Sequence, residues 1–151
     1  MFKKIALGFL LLIVAAQFYR PARNQSGASG PDDIATAHAV PSEVRGLLQR
    51  ACYDCHSNQT NYPWYAEIQP FGWWLDWHVR DGKKHLNFSE FGTYGVKRAS
   101  NKLDQIYDEV SEGTMPLKSY TWGHPEARLT AEEVKALTSW AEELREEIAP
   151  E

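Results

Sequence analysis

The chain contains two cysteines, Cys52 and Cys55, which are separated by two residues and followed at once by His56. Cysteines at this spacing occur in redox dithiols, in metal sites and at haem attachment points. In haem attachment the two sulfurs bond to one edge of the porphyrin, and the histidine that follows coordinates the iron. The motif therefore predicts Cys52 and Cys55 as covalent attachment points for haem c and His56 as the proximal iron ligand.

Two other interpretations of this motif remain open. A thioredoxin-like dithiol is expected within a βαβ unit, after a strand, whereas the residues before Cys52 have helical periodicity. A structural zinc site needs two further Cys or His ligands. His78 and His85 are available, but the sequence contains no second paired motif. The pattern favours haem over both alternatives.

The elements that must position the motif are helical, since the alternating pattern of β-strands is almost absent. The first predicted helix begins at Pro41 and ends at the motif. Three more helices are predicted over residues 73–80, over residues 96–112 and from the capping box Thr130–Glu133 onward. We expect residues 85–95 to be irregular and residues 114–125 to form a long loop. The expected fold is a small all-α, cytochrome c-like domain of about four helices around one haem.

The N-terminus has the features of a targeting segment. Lys3 and Lys4 precede an apolar run over residues 5–16, which is short for a spanning helix and typical of a signal peptide. Residues 1–19 are predicted to be either a signal peptide cleaved after Ala16 or an uncleaved anchor over residues 5–19. Residues 20–40 are rich in Gly, Ser, Pro and polar residues and are predicted to be a flexible linker. The haem-binding domain is then residues 41–149, on the periplasmic or cell-envelope side, tethered to the inner membrane or soluble.

Charge gives partial information about partners. The formal net charge is −4 and no long basic block is present, so nucleic acid is not an expected partner. Residues 80–102 contain six basic and two acidic residues, a local net charge of +4. This stretch is either a solvated helix face, a contact for the haem propionates, or a docking surface for an acidic redox partner.

The chain resembles the haem-binding domain family of exported bacterial proteins, which are related to class I cytochromes c in their haem attachment. The resemblance covers about Pro41 to Trp140. It rests on four segments in order: ACYDCHSNQTNYPWY, HLNFSEFG, GTMPLKSY and HPEARLT. It implies one covalently attached haem.

The sixth iron ligand is predicted to be Met115. In cytochromes c a methionine from a C-terminal loop, often followed by proline, takes this position, and Met115 precedes Pro116 in the loop before the last helix. A gap-filling role for Met115 is the alternative. His78 is the main alternative ligand, followed by His85 and His124, and an open sixth position is the remaining alternative.

Four tryptophans lie within residues 64–77. Trp73 and Trp77 share a helical face and are predicted as possible walls of the haem pocket. Ordinary core packing explains any single tryptophan equally well.

Three functions are compatible with these features. Single-haem electron transfer outside the cytoplasm, with an unidentified redox partner, is favoured because a six-coordinate iron suits one-electron exchange and no acid/base pair lies near the motif. The main alternative is a haem-based sensor or peroxidase-like enzyme with a displaceable sixth ligand. The third is a binding or scaffold module in which the haem is structural. An electron carrier or binding module is favoured over an enzyme.

Overall fold

The computed structural model describes residues 1–27 and 30–149. Within these residues the secondary structure is helical, and one isolated antiparallel bridge joins Gln25 and Gln59. The α-helices of this part of the chain are α1 (Phe2–Ala16), α2 (Ile34–Ala37), α3 (Ser42–Ala51), α4 (Tyr53–His56), α5 (Phe71–His85), α6 (Val96–Ser111), α7 (Lys118–Gly123) and α8 (Ala131–Ile148). Short 3₁₀ helices cover Trp64–Glu67, Phe88–Thr93 and Pro125–Ala127. The predicted all-α class is confirmed.

The core lies where α6 and α8 pack along each other and α3 closes one side. Each of these helices buries an apolar stripe with the spacing of about three and four residues that an amphipathic helix requires. The buried residues are Val44, Leu47 and Leu48 of α3, Leu103, Ile106 and Val110 of α6, and Leu137, Trp140 and Leu144 of α8. The capping box at the start of α8 is also present, with Thr130 and Glu133 capping each other's backbone. The sequence periodicity therefore predicted the principal helices correctly.

Two predicted irregular regions contain helical turns. Residues 85–95 include the 3₁₀ helix Phe88–Thr93, which places Phe88 and Phe91 in the core at 1% exposure each. Burial of a phenylalanine contributes about 1.5 to 3 kcal/mol. The predicted loop over residues 114–125 contains α7, and α5 extends to His85 instead of ending around Gly82. All three differences bring side chains to the site described below.

The prediction of a flexible linker over residues 20–40 is wrong for the described residues of that segment. Asn24 donates to the Ser57 carbonyl oxygen and to the Thr60 hydroxyl oxygen, at 2.8 and 2.9 Å. Ile34 and Asp33 are completely buried, and Asp33 caps α2 by accepting from the Ala35 backbone. Ile34 and Val40, two apolar residues among many small polar ones, fasten the segment to the core. The linker prediction for Ala28 and Ser29 lies outside the described residues.

The first helix, α1, has no buried residue. Its C-terminal end is fastened to the domain, because Gln17 exchanges two hydrogen bonds with the backbone of Gln69 and the Trp73 indole donates to the Tyr19 carbonyl oxygen at 2.8 Å. In residues 1–27 and 30–149 no helix combines the length and the apolar character needed to cross a membrane.

Candidate haem site

A cavity of about 360 Å³ opens between the cysteine motif and the loop that follows α6. Cys52, Cys55 and His56 line one part of it, and Met115 lines it from a position 59 residues after His56. The remaining wall is largely apolar and includes Leu48, Leu86, Phe88, Ile106, Val110 and Leu137. A volume of this size lies within the range of small-molecule and cofactor sites.

The imidazole of His56 is oriented by the backbone of the segment after α5. Its Nδ1 lies 3.0 Å from the Leu86 carbonyl oxygen, which can only accept, so Nδ1 carries the proton and Nε2 keeps its lone pair. Phe88 packs edge-on against the ring, with 6.3 Å between ring centroids. Burial lowers the pKa of His56 below its usual value, which favours the neutral ring. A neutral, oriented imidazole with a free Nε2 is the form that binds a metal.

The two thiols are protonated at neutral pH. Burial raises the pKa of Cys52 to about 12, and the neighbouring Cys55 adds to this effect. Burial, with a smaller contribution from Asp54, raises the pKa of Cys55 to about 11. The attacking cysteine of a redox dithiol requires the opposite shift, toward a thiolate. This environment therefore argues against the dithiol interpretation.

The two residues between the cysteines fasten the motif to the rest of the domain. The Tyr53 hydroxyl donates to Oδ1 of Asp33 at 3.0 Å, and the Tyr53 ring stacks on Phe88. Asp54 accepts through Oδ1 from the Asn61 backbone at 3.0 Å and through Oδ2 from the Tyr120 hydroxyl at 2.7 Å. Contacts with four different segments of the chain therefore hold the motif in place.

Met115 is positioned by the end of α6. The Glu109 carbonyl oxygen accepts from the backbone N–H groups of Thr114 and Met115, both at 3.0 Å, and from the Thr114 hydroxyl at 2.8 Å. Gly113 adopts a φ of +68° just after the helix, a left-handed conformation that favours glycine and turns the chain toward the cavity. Met115 is half-buried, and Pro116 and Leu117 continue the cavity wall.

The three competing histidines lie in different places. His78 and His85 both line the cavity from α5, whereas His124 does not and instead stacks on Tyr120 at 4.3 Å between ring centroids. The Nδ1 of His78 lies 2.8 Å from the Trp74 carbonyl oxygen, so its Nε2 is also unprotonated in the neutral ring. His85 is exposed and lies 3.8 Å from an oxygen of Asp81. His78 thus stays an alternative ligand by position.

Trp73 and Trp77 are not among the residues that line this cavity, so the prediction that they form its wall is not supported. The face of α5 turned to the cavity carries His78, Asp81, Gly82 and His85. Trp77 is 56% exposed, and the Trp73 indole is used in the bond to Tyr19. The apolar pattern of α5 does not determine which face of the helix is buried precisely enough to separate residue 77 from residue 78.

The residues present fit a c-type haem by the chemistry of their donors. Two thiols and an imidazole with a free Nε2 lie on one side of an apolar cavity, and a thioether lies on the wall formed by the loop. Lys102 supplies the one ammonium group of the cavity wall in the described part of the chain, and it can face a haem carboxylate. Across residues 1–27 and 30–149 no three His, Cys, Asp or Glu side chains form a group able to hold a metal ion by themselves, which a structural zinc site needs.

Residues that sequence reasoning missed include Leu86, Phe88 and Tyr120. Leu86 and Phe88 belong to the segment HLNFSEFG and Tyr120 ends the segment GTMPLKSY, and the resemblance of these segments to the family was the one available signal. No sequence pattern indicated that Tyr120 would reach Asp54.

Comparison with known proteins gives one match. Neither the search of curated proteins nor the search of solved structures returned a significant match. The model of the haem-binding domain family matches residues 11–143, which is most of the chain and includes every element that lines the cavity. With this match and a cavity suited to haem, the chain belongs to the haem-binding domain family.

Proposed function

We propose that this protein carries one c-type haem, attached covalently through Cys52 and Cys55, and works as a one-electron carrier outside the cytoplasm. The observation that carries this proposal is the shared cavity, which brings Cys52, Cys55 and His56 together with Met115. A haem held there supplies the one-electron chemistry, and the protein sets its orientation and potential.

Each residue has a separate role in this proposal. Cys52 and Cys55 fix the porphyrin edge, and His56 presents Nε2 to the iron while Leu86 holds its Nδ1 proton. Met115 offers a neutral sulfur ligand, which raises the potential relative to a second histidine. The apolar wall, with Phe88 at 1% exposure, keeps water from the iron. These roles all favour electron exchange over catalysis at an open coordination position.

The N-terminal sequence supports a location outside the cytoplasm. Lys3 and Lys4 followed by an apolar run are typical of an export signal. Attachment of haem requires two free, reduced thiols, and Cys52 and Cys55 have no other cysteine in the sequence to pair with. Cell fractionation of the full chain tests the location.

The docking partner is proposed to be an acidic redox protein, because Lys97, Arg98 and Lys102 lie together at a groove that shares Lys102 with the cavity.

The first test is an absorption spectrum of the full chain produced with a haem attachment system. Ferric protein should be low-spin with a weak far-red sulfur-to-iron band, and ferrous protein should not bind carbon monoxide readily. The Met115→Ala variant should lose the far-red band and bind carbon monoxide. A high-spin wild-type spectrum would contradict the proposal. Haem that is extracted by acidic organic solvent would exclude covalent attachment.

One observation favours sensing or peroxidase-like turnover as a second candidate. His78 lines the same cavity and keeps an unprotonated Nε2 in its neutral form, so a base would be available beside a bound haem if Met115 did not bind the iron. Rapid carbon monoxide binding by the wild-type ferrous protein would move the assignment to this second function.

A further inference from the structure

The loop that carries Met115 is fastened at two points. On its N-terminal side the Glu109 carbonyl oxygen accepts from the backbone of Thr114 and Met115. On its C-terminal side the Tyr120 hydroxyl donates to Oδ2 of Asp54 at 2.7 Å. Met115 lies between these fastenings, five residues before Tyr120.

The second fastening joins the cysteine motif to the segment that follows Met115. Asp54 lies between the two cysteines of the motif, whereas Tyr120 belongs to α7, which begins three residues after Met115. Both side chains are half-buried, and Tyr120 itself lines the cavity. A hydrogen bond to a carboxylate is stronger than one between neutral groups, and partial burial protects it from competition by water.

Both partners of this bond are themselves held in place. The Asn61 backbone donates to Oδ1 of Asp54 at 3.0 Å, and the Thr60 hydroxyl donates to the Asp54 carbonyl oxygen at 2.7 Å. His124 stacks on the Tyr120 ring with an interplanar angle of 15°, and its Nδ1 donates to the Tyr120 carbonyl oxygen at 3.2 Å. Movement of α7 away from the motif would therefore break an oriented contact.

We propose that the Tyr120–Asp54 hydrogen bond is a positioning device that keeps Met115 at the iron. Tyr120 acts through the loop and not as a ligand. Displacement of Met115 by an external ligand requires the loop to move outward, and the bond opposes that movement. This role rests on the proposed function, because it presupposes that Met115 is the sixth ligand.

The test compares Tyr120→Phe with the wild type as full-length proteins carrying attached haem. Phenylalanine keeps the ring and its stacking on His124 and removes only the hydroxyl. Carbon monoxide should bind the ferrous variant on the order of ten- to hundred-fold faster, the range that the loss of a hydrogen bond to a charged group produces. The far-red sulfur-to-iron band of the ferric variant should weaken. Tyr107→Phe, at a residue 42% exposed on α6, is the matched control and should leave both readouts unchanged.

A double-mutant cycle separates positioning of Met115 from a general structural effect. In the Met115→Ala background no sulfur ligand remains to be displaced, so Tyr120→Phe should change the rate of carbon monoxide binding less than about twofold. An equal acceleration in both backgrounds would overturn the inference, since Tyr120 would then control access to the cavity. An unchanged rate in Tyr120→Phe alone would also overturn it.

Failure of the proposed function gives a different pattern. In that case the wild type lacks the far-red band, and Met115→Ala does not change carbon monoxide binding. If Tyr120→Phe does not retain haem, Asp54→Asn replaces it. Asparagine has one amide oxygen in place of the two carboxylate oxygens of Asp54, so it can keep only one of the two hydrogen bonds. We therefore expect Asp54→Asn to accelerate carbon monoxide binding less than the loss of the Tyr120 hydroxyl does, and this acceleration should disappear in the Met115→Ala background. No acceleration in Asp54→Asn would then overturn the inference.

Discussion

Gly82 of α5 lies directly against Cys55 of the Cys52–His56 motif. A Cβ atom at Gly82 would stand 2.7 Å from the Cys55 carbonyl oxygen and 3.2 Å from the Cys55 Cβ. The neighbours are mainly backbone atoms, which cannot rotate out of the way. This close approach brings His78, Asp81 and His85 to the cavity wall.

Gly82→Ala should separate α5 from the motif. The substitution favours helix formation, but the clash should outweigh this gain and destabilise the protein by about 1 to 3 kcal/mol, as overpacking does. The yield of protein with attached haem should fall with it. Gly46→Ala is the control, since its Cβ would meet no atom within 4 Å, and it should stabilise α3 by about 0.5 to 1 kcal/mol. Urea unfolding and haem yield would measure both variants, and equal effects of the two would contradict the close-approach argument.

Burial of the two thiols predicts slow alkylation of the haem-free protein. The pKa of Cys55 is raised to about 11 and that of Cys52 to about 12, so the thiolate forms only at high pH. At pH 8 the thiolate fraction of Cys55 is then roughly a thousandth, far below that of a free cysteine with a pKa of about 8.5. Iodoacetamide should label the folded apoprotein at least about 100-fold more slowly than the same protein in urea. Rapid labelling of the folded form would support the dithiol interpretation.

The sequence identified Cys52, Cys55 and His56 as candidate site residues but did not indicate how they are held. The motif places Cys52, Cys55 and His56 through local spacing alone, which a sequence states directly. The partners of His56 and Tyr53, which are Leu86 and Asp33, are separated from them by 30 and 20 residues. Such contacts depend on how helices pack, and no periodicity encodes them.

The errors in the fold prediction have a common physical origin. Composition suggested a linker over residues 20–40 because apolar residues are few there, yet the side chains of Asp33 and Ile34 are completely buried and Val40 is buried as well. The six-residue helix α7 follows Pro116 and is too short for a periodic stripe to be recognised. Local patterns thus identify long amphipathic helices and overlook segments whose order comes from one or two tertiary contacts.

The Arg50–Glu133 pair predicts a pH dependence of stability. Glu133 accepts from the Thr130 backbone at 2.8 Å and from Arg50 at 2.6 Å, and these contacts, the backbone one first, lower the pKa of its carboxyl group. A lowered pKa in the folded state contributes stability above the unfolded pKa of about 4.5, and this contribution is lost as the pH falls through the folded value. The stability difference between wild type and Glu133→Gln should therefore be largest near neutral pH and shrink below about pH 4.5.

The measurement is urea unfolding of both proteins between pH 3 and pH 7. Glu142→Gln, on the exposed face of α8, removes the same charge without the cap or the contact with Arg50. A difference that stays constant across this pH range, or that is equally large for Glu142→Gln, would contradict the assignment. Because Arg50 precedes the attachment motif by two residues, a loosened pair should also lower the haem yield of Glu133→Gln.

The packed segment before α3 predicts that the domain cannot begin at residue 41. A chain starting there lacks Ile34, whose burial contributes about 1.5 to 3 kcal/mol, and it lacks Asp33, which accepts from the Tyr53 hydroxyl. Tyr53 would keep its stacking on Phe88 but lose its hydrogen bond to Asp33, which holds the first half of the cysteine motif.

A chain starting at residue 22 keeps these contacts and also the hydrogen bonds of Asn24 to Ser57 and Thr60. The shorter chain should unfold at lower urea concentration and carry less haem than the longer one. Equal midpoints and equal haem content would show that residues 22–40 do not belong to the folded domain.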